Sequence, residues 1–160
     1  MELVPLMVVY FLGAWALLPV GWVWSLLYVV YVLKSNLLFI GTVCPCCQNY
    51  GRGSCGSGFG LLASKISERR AVDHFSSRFK NCLPFLALAW VLPTLGGGWA
   101  IWRDIGNGPA LIWDIAPLVL FLMVAFGVLP FTSKKECRSC SMRDRCPGAK
   151  LTGEGRHEAR

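Results

Sequence analysis

Residues 3–33 read LVPLMVVYFLGAWALLPVGWVWSLLYVVYVL, 31 residues without a charged side chain. As one helix this run would be roughly 46 Å long at 1.5 Å per residue. A hydrocarbon core asks for about 20 residues. The run is therefore too long for one upright span and too short for two full ones. We read it as a single long span, tilted or kinked at Pro19. A tight helical hairpin at Pro19-Val20-Gly21 is the alternative. Glu2 stands where a secretory leader would carry basic residues, and no small-residue cleavage site follows, so the run does not read as a cleavable signal.

Two further apolar runs extend this reading. Residues 83–102 form the next span, interrupted by Pro93 and by Gly96-Gly97-Gly98. Residues 109–131 form the last, with Asp114 near its start and Pro117 and Pro130 inside it. The polar turn between them is so short that they must run antiparallel. Apolar residues make up 54% of the chain and charged ones 16%, where a soluble domain carries about 25% charged. Many Trp and Phe supply interfacial anchors. The expected fold is all-α: a single integral membrane domain, a small bundle of three transmembrane helices, or four if residues 3–33 fold back.

Residues 61–82 have helical spacing of another kind. Leu62, Ile66, Val72, Phe75, Phe79 and Cys82 fall near one face, while Lys65, Arg69, Arg70, Arg78 and Lys80 crowd the rest. Such a stripe suits an amphipathic helix lying in the headgroup layer. The closing residues 149–160 are polar and read as a disordered tail.

The net charge of +7 is distributed by topology rather than for nucleic acid. Lys34, Arg52, Lys65, Arg69, Arg70, Arg78 and Lys80 lie between the first two spans. Lys134, Lys135, Arg138, Arg143, Arg145, Lys150, Arg156 and Arg160 follow the last. Only Arg103, of 16 basic residues, is on the other side. The positive-inside rule places that loop and the C-terminal tail in the cytoplasm, as in a multi-pass inner-membrane protein. The basic face would meet anionic lipid.

That placement sets the cysteine chemistry. Thiols on the cytoplasmic side stay reduced, so clustered cysteines point to metal rather than disulfides. One group is Cys44-Pro45-Cys46-Cys47 with Cys55, in the glycine-rich loop 44–60. The other is Cys137, Cys140 and Cys146, closed by Pro147-Gly148 in the tail 132–148. Two short arms such as Cys44/Cys47 and Cys137/Cys140 would suit tetrahedral zinc. A triplet plus one distant cysteine suits a [4Fe–4S] cluster, which takes four thiolates. The fourth ligand would come from Cys44, Cys46, Cys47 or Cys55. Cys82, at a membrane entry, reads as a small packed side chain.

The stretch Cys137-Arg-Ser-Cys140-Ser-Met-Arg-Asp-Arg-Cys146-Pro147-Gly148 resembles the cluster-binding segment near the C-terminus of iron–sulfur RecB-like nucleases. In that family a Cys-x₂-Cys-x₅-Cys run joins one far upstream cysteine around a [4Fe–4S] cluster. The auxiliary-cluster domains of some radical-SAM enzymes look similar. The resemblance covers about a dozen residues. It implies a cluster held by Cys137, Cys140 and Cys146, and no nuclease activity, because the nuclease carboxylate–lysine motif is missing.

Other chemistry is thin. Gly51-Arg-Gly53-Ser-Cys-Gly56 matches the dinucleotide fingerprint in letters, without the strand–helix unit that gives it meaning. There is no Ser-His-Asp set, phosphate loop or histidine within a span. Three functions remain as expectations: electron transfer to a redox partner through a cytoplasmic-face cluster, a structural metal clasp in a subunit of a membrane complex, and soft-metal handling.

Overall fold

A computed structural model of the chain describes residues 3–52, 58–105, 110–140, 142–143 and 146–147, with Cys137 described by its backbone. Cys55, the core of the fingerprint match and the tail 149–160 lie outside the described residues. In order, the helices are α1 (Leu3–Ala16), α2 (Trp22–Thr42), α3 (Phe59–Ile66), α4 (Phe75–Asp104), α5 (Ala110–Leu122) and α6 (Leu129–Ser139). Short 3₁₀ turns at Cys44–Cys46 and Val72–His74 precede α3 and α4. A π-turn at Met123–Val128 joins α5 to α6. Among the described residues there is no strand. Three stretches are long and apolar enough to cross a membrane: Trp22–Cys46, Val72–Asp104 and Ile112–Thr132.

The first run is not one span. It parts into α1 and α2 at residues 17–21. Pro19 has no N–H for an interior helical bond. The chain there closes with short bonds, Leu17 N to Ala14 O at 3.3 Å and Val20 N to Leu17 O at 3.1 Å. Gly21 completes the turn at φ +148°, open to glycine and strained for other residues. The break thus falls where the hairpin alternative put it. At about 21 Å, though, α1 is shorter than a bilayer core. The second helix also does not end with the uncharged run at Leu33. α2 continues to Thr42, because a single lysine is a good helix former and does not stop a helix.

The chain divides into two compact units. The first comprises Val4–Ser35 and Phe85–Leu129. Inside it, α1 folds back on α2: Ser25 Oγ donates to Ala14 O at 2.8 Å, and the Tyr28 hydroxyl stands against Gly13. α2 runs antiparallel to α4, since Tyr28 Oη donates to Ala89 O at 3.0 Å and Tyr31 Oη to Phe85 O at 2.7 Å. α4 runs antiparallel to α5 and the π-turn, as Trp90 packs edge-on to Phe126 and Gly97 faces Leu118. These directions bring Ser35, Phe85 and Leu129 to one end of the unit. The opposite end is tied by Arg103, which donates to Pro19 O at 3.2 Å and pairs with Asp104 at 3.1 Å.

α4 passes unbroken through Pro93 and the three glycines, contrary to the sequence expectation. Proline at 93 leaves the Ala89 carbonyl without its helical donor. The buried Tyr28 hydroxyl supplies that donor, so the helix continues with the carbonyl satisfied. The glycines serve packing. A side chain built at Gly97 would meet Leu118 Cδ1 at 3.1 Å and the Ala16 carbonyl at 3.4 Å, whereas one at Gly98 meets nothing within 4 Å. Gly97→Leu is expected to destabilise the protein by about 3 kcal/mol, the upper part of the overpacking range. Gly98→Leu should be neutral or stabilising by up to ~1 kcal/mol through helix propensity. Thermal unfolding in detergent reads the difference; equal losses at both positions would contradict the packing described.

The second unit comprises Met1–Leu3, Asn36–Pro84 and Pro130–Arg160. The amphipathic helix expected over 61–82 is two pieces. α3 ends at Ile66, the backbone is extended at Ser67, and helix resumes at Val72. Long-range bonds hold the break: Tyr50 Oη donates to Ser67 O at 2.5 Å, and Arg70 N donates to Pro45 O at 3.0 Å. The residues that kept helical periodicity on either side belong to different helices. The tail also differs. Within the Cys-rich tail expected over 132–148, the chain is helical to Ser139, so Cys137 sits in the last turn of α6.

Candidate metal centre

Among the described residues every cysteine belongs to the second unit. The first arm follows directly from α2. Pro45 presets the backbone of a tight turn, with Cys46 N bonded to Val43 O and Cys47 N to Cys44 O, both at 3.1 Å. The chain turns again where Tyr50 N meets Cys47 O. Gly60 seats the loop: a side chain there would run into the Asn49 carbonyl, and Gly51 N donates to Gly60 O at 3.0 Å.

A 3₁₀ turn sends its residues to different sides. Cys44 packs with Ile40 and Ala63, beside Phe39, Tyr50 and Phe59. Cys46 turns the other way, into a cluster with Val43, Phe75, Cys82 and Met142. Around that cluster lie Cys47, Cys140 and Cys146, together with Phe39, Val72 and Phe79. Cys46 is 0% exposed. Phe39 and Phe79 meet edge to face at 6.0 Å and close its apolar side.

The second arm leaves α6 at Cys140. Arg143 N bonds back to Cys140 O at 3.2 Å, making a turn between Cys140 and Cys146. Asn49 Nδ2 donates toward Cys140 Sγ at 3.9 Å, linking the two arms. Thr42 touches two thiols: its hydroxyl is 3.3 Å from Cys82 Sγ, and its carbonyl accepts from Cys46 Sγ at 3.8 Å.

Of the seven expected ligands, the structure brings Cys46, Cys47, Cys140 and Cys146 into one packed cluster and places Cys44 in another. Cys55 and the Cys137 side chain fall outside the described residues. Among the described residues no three His, Cys, Asp or Glu side chains are arranged as a metal chelate. The donor set nonetheless fits a soft metal in kind: four thiols from two distant segments in apolar packing, with an amide N–H directed at one sulfur.

Sequence reasoning left Cys82 out of the group. The structure puts it in the same cluster, 7% exposed. The signal was present, since Phe75, Phe79 and Cys82 share one helical face at spacings of four and three.

No protein-family model, curated protein or solved structure matches the chain.

Proposed function

We propose that the chain is an integral membrane protein whose cysteine-bearing unit holds a thiolate-bound metal centre, a [4Fe–4S] cluster used for electron transfer at the cytoplasmic face. The observation that carries this reading is the shared packing of Cys46 and Cys47 with Cys140 and Cys146, two pairs far apart in sequence. Three apolar helices support the membrane setting. The basic residues flanking them support the side.

The chain's own residues have definable tasks. Cys140 and Cys146, with Cys137 from the last turn of α6, form one arm. Cys46 or Cys47 supplies the fourth thiolate, because adjacent residues do not easily both reach one metal geometry. Phe39, Phe75 and Phe79 exclude water from one side. The Asn49 N–H faces Cys140 Sγ, and hydrogen bonds to cluster sulfurs are among the levers that set potential. When bound, the cluster supplies one-electron chemistry.

Metal analysis of protein purified without oxygen tests the proposal. The expected result is brown protein with about four irons and four acid-labile sulfides per chain. Colourless protein with stoichiometric zinc would replace electron transfer by a structural clasp, because the same thiols suit tetrahedral zinc. Protein with neither metal would overturn both.

A further inference from the structure

The 3₁₀ turn before α4 and the first turns of α4 carry polar residues that the metal centre does not use. His74, Ser77, Arg78 and Asn81 follow at spacings of three, one and three, the repeat of a single helical face. With Thr42 and Cys82 they line an open cleft of about 420 Å³. That volume lies within the range of small-molecule sites. All six residues belong to one unit. The floor is closed where Cys82 Sγ meets Thr42 Oγ1 at 3.3 Å, and Phe75 lies buried in the core cluster.

The lining offers a guanidinium, an imidazole, an amide and two hydroxyls, and among the described residues no carboxylate. Such donors suit an oxyanion. Arg in particular presents a planar fork that matches phosphate in a bidentate way. The depth narrows the choice further. Val72–Asp104 has 33 residues, roughly 50 Å as a helix, against a hydrocarbon core of about 30 Å. The apolar run starts at Leu83, just past Lys80 and Asn81. Residues 74–82 then stand at headgroup level.

We propose that this cleft binds the phosphate of an anionic phospholipid headgroup, with Arg78 as its principal ligand and His74, Ser77 and Asn81 as flanking donors. The proposal rests on the membrane reading above and is independent of the metal. The experiment uses full-length protein in detergent, titrated with short-chain phosphatidylglycerol or with inorganic phosphate and followed by ³¹P NMR. Phosphatidylglycerol should bind, and Arg78→Gln should weaken it about tenfold, the loss of a charge-assisted bidentate contact. Arg78→Lys keeps the charge without the fork and should fall between. Lys80→Gln, on the same turns but outside the cleft, should bind as the native chain does. Equal losses in Arg78→Gln and Lys80→Gln, or no binding, would overturn the site. Inorganic phosphate binding as tightly as the lipid would overturn the lipid source. Alkaline carbonate extraction of membranes separates the two readings. Release of the chain from the pellet refutes the spans, whereas retention with unchanged binding by Arg78→Gln refutes the cleft alone.

Discussion

Serine at Cys140 or at Cys146 is expected to take the metal content from stoichiometric to none. Both thiols pack in the cluster that holds Cys46 and Cys47, and a four-thiolate centre has no spare ligand. Cys137→Ser should behave in the same way. Of Cys46 and Cys47, one substitution should abolish binding and the other should not. Cys44→Ser is the informative contrast. Its side chain packs with Ile40 and Ala63 instead, so this variant should keep the metal and lose stability. The cost is about 1–3 kcal/mol, that of placing a hydroxyl in an apolar site. Cys82→Ala should also keep the metal, although its thiol lies in the cluster. Iron, zinc and sulfide analysis with visible absorption, on the whole series prepared without oxygen, reads all of these at once. Full metal retention in both Cys140→Ser and Cys146→Ser would remove the tail from the site.

The second large effect is topological and all-or-none. A phosphatase reporter that is active only outside the cytoplasm should be silent when fused after Arg160 and active when inserted between Asp104 and Ala110. Fifteen of the 16 basic residues lie within residues 34–80 or 134–160. Each end of the helical unit that leads to them, at Ser35, Phe85 and Leu129, is the same end, by the antiparallel order of α2, α4 and α5. A segment of that kind is retained on the cytoplasmic side. An active C-terminal fusion would place the cysteines in an oxidising compartment. There they would be expected to pair as disulfides, and the metal proposal would fall with the sidedness.

The long apolar helices were legible because charge is lacking over some twenty residues at a time. Their ends were less so. In residues 3–33 every position is apolar or nearly so, and no periodicity marks where one helix stops. Only Pro19 and Gly21 carry that information, and a proline inside an apolar run is compatible with both a kink and a turn. Pro93 looked like a break and is none, since its consequence is cancelled by a hydroxyl sixty-odd positions away, Tyr28. The break at residues 67–71 was hidden for a similar reason: Pro45 and Tyr50 capture the backbone there. The cysteine spacing marked two groups, and four of their members share one packed cluster. It did not say that Cys44 turns aside, because the direction of each side chain in Cys44–Cys46 is set by a 3₁₀ turn and by the α3 helix against it.

The π-turn has a further consequence. In Met123–Val128 the backbone bonds reach one residue farther than usual, as Leu129 N does to Val124 O, just ahead of Pro130. A turn of this kind holds one residue more than an α-helical turn covering the same rise. Removing a residue there would leave a continuous helix of almost the same length. Keeping every residue but winding them as a plain α-helix would instead rotate each position beyond by about 100° and carry it about 1.5 Å farther along the axis. The wide turn is a phase setting: it takes up one residue of the sequence, so that the helical register after it is the one before it.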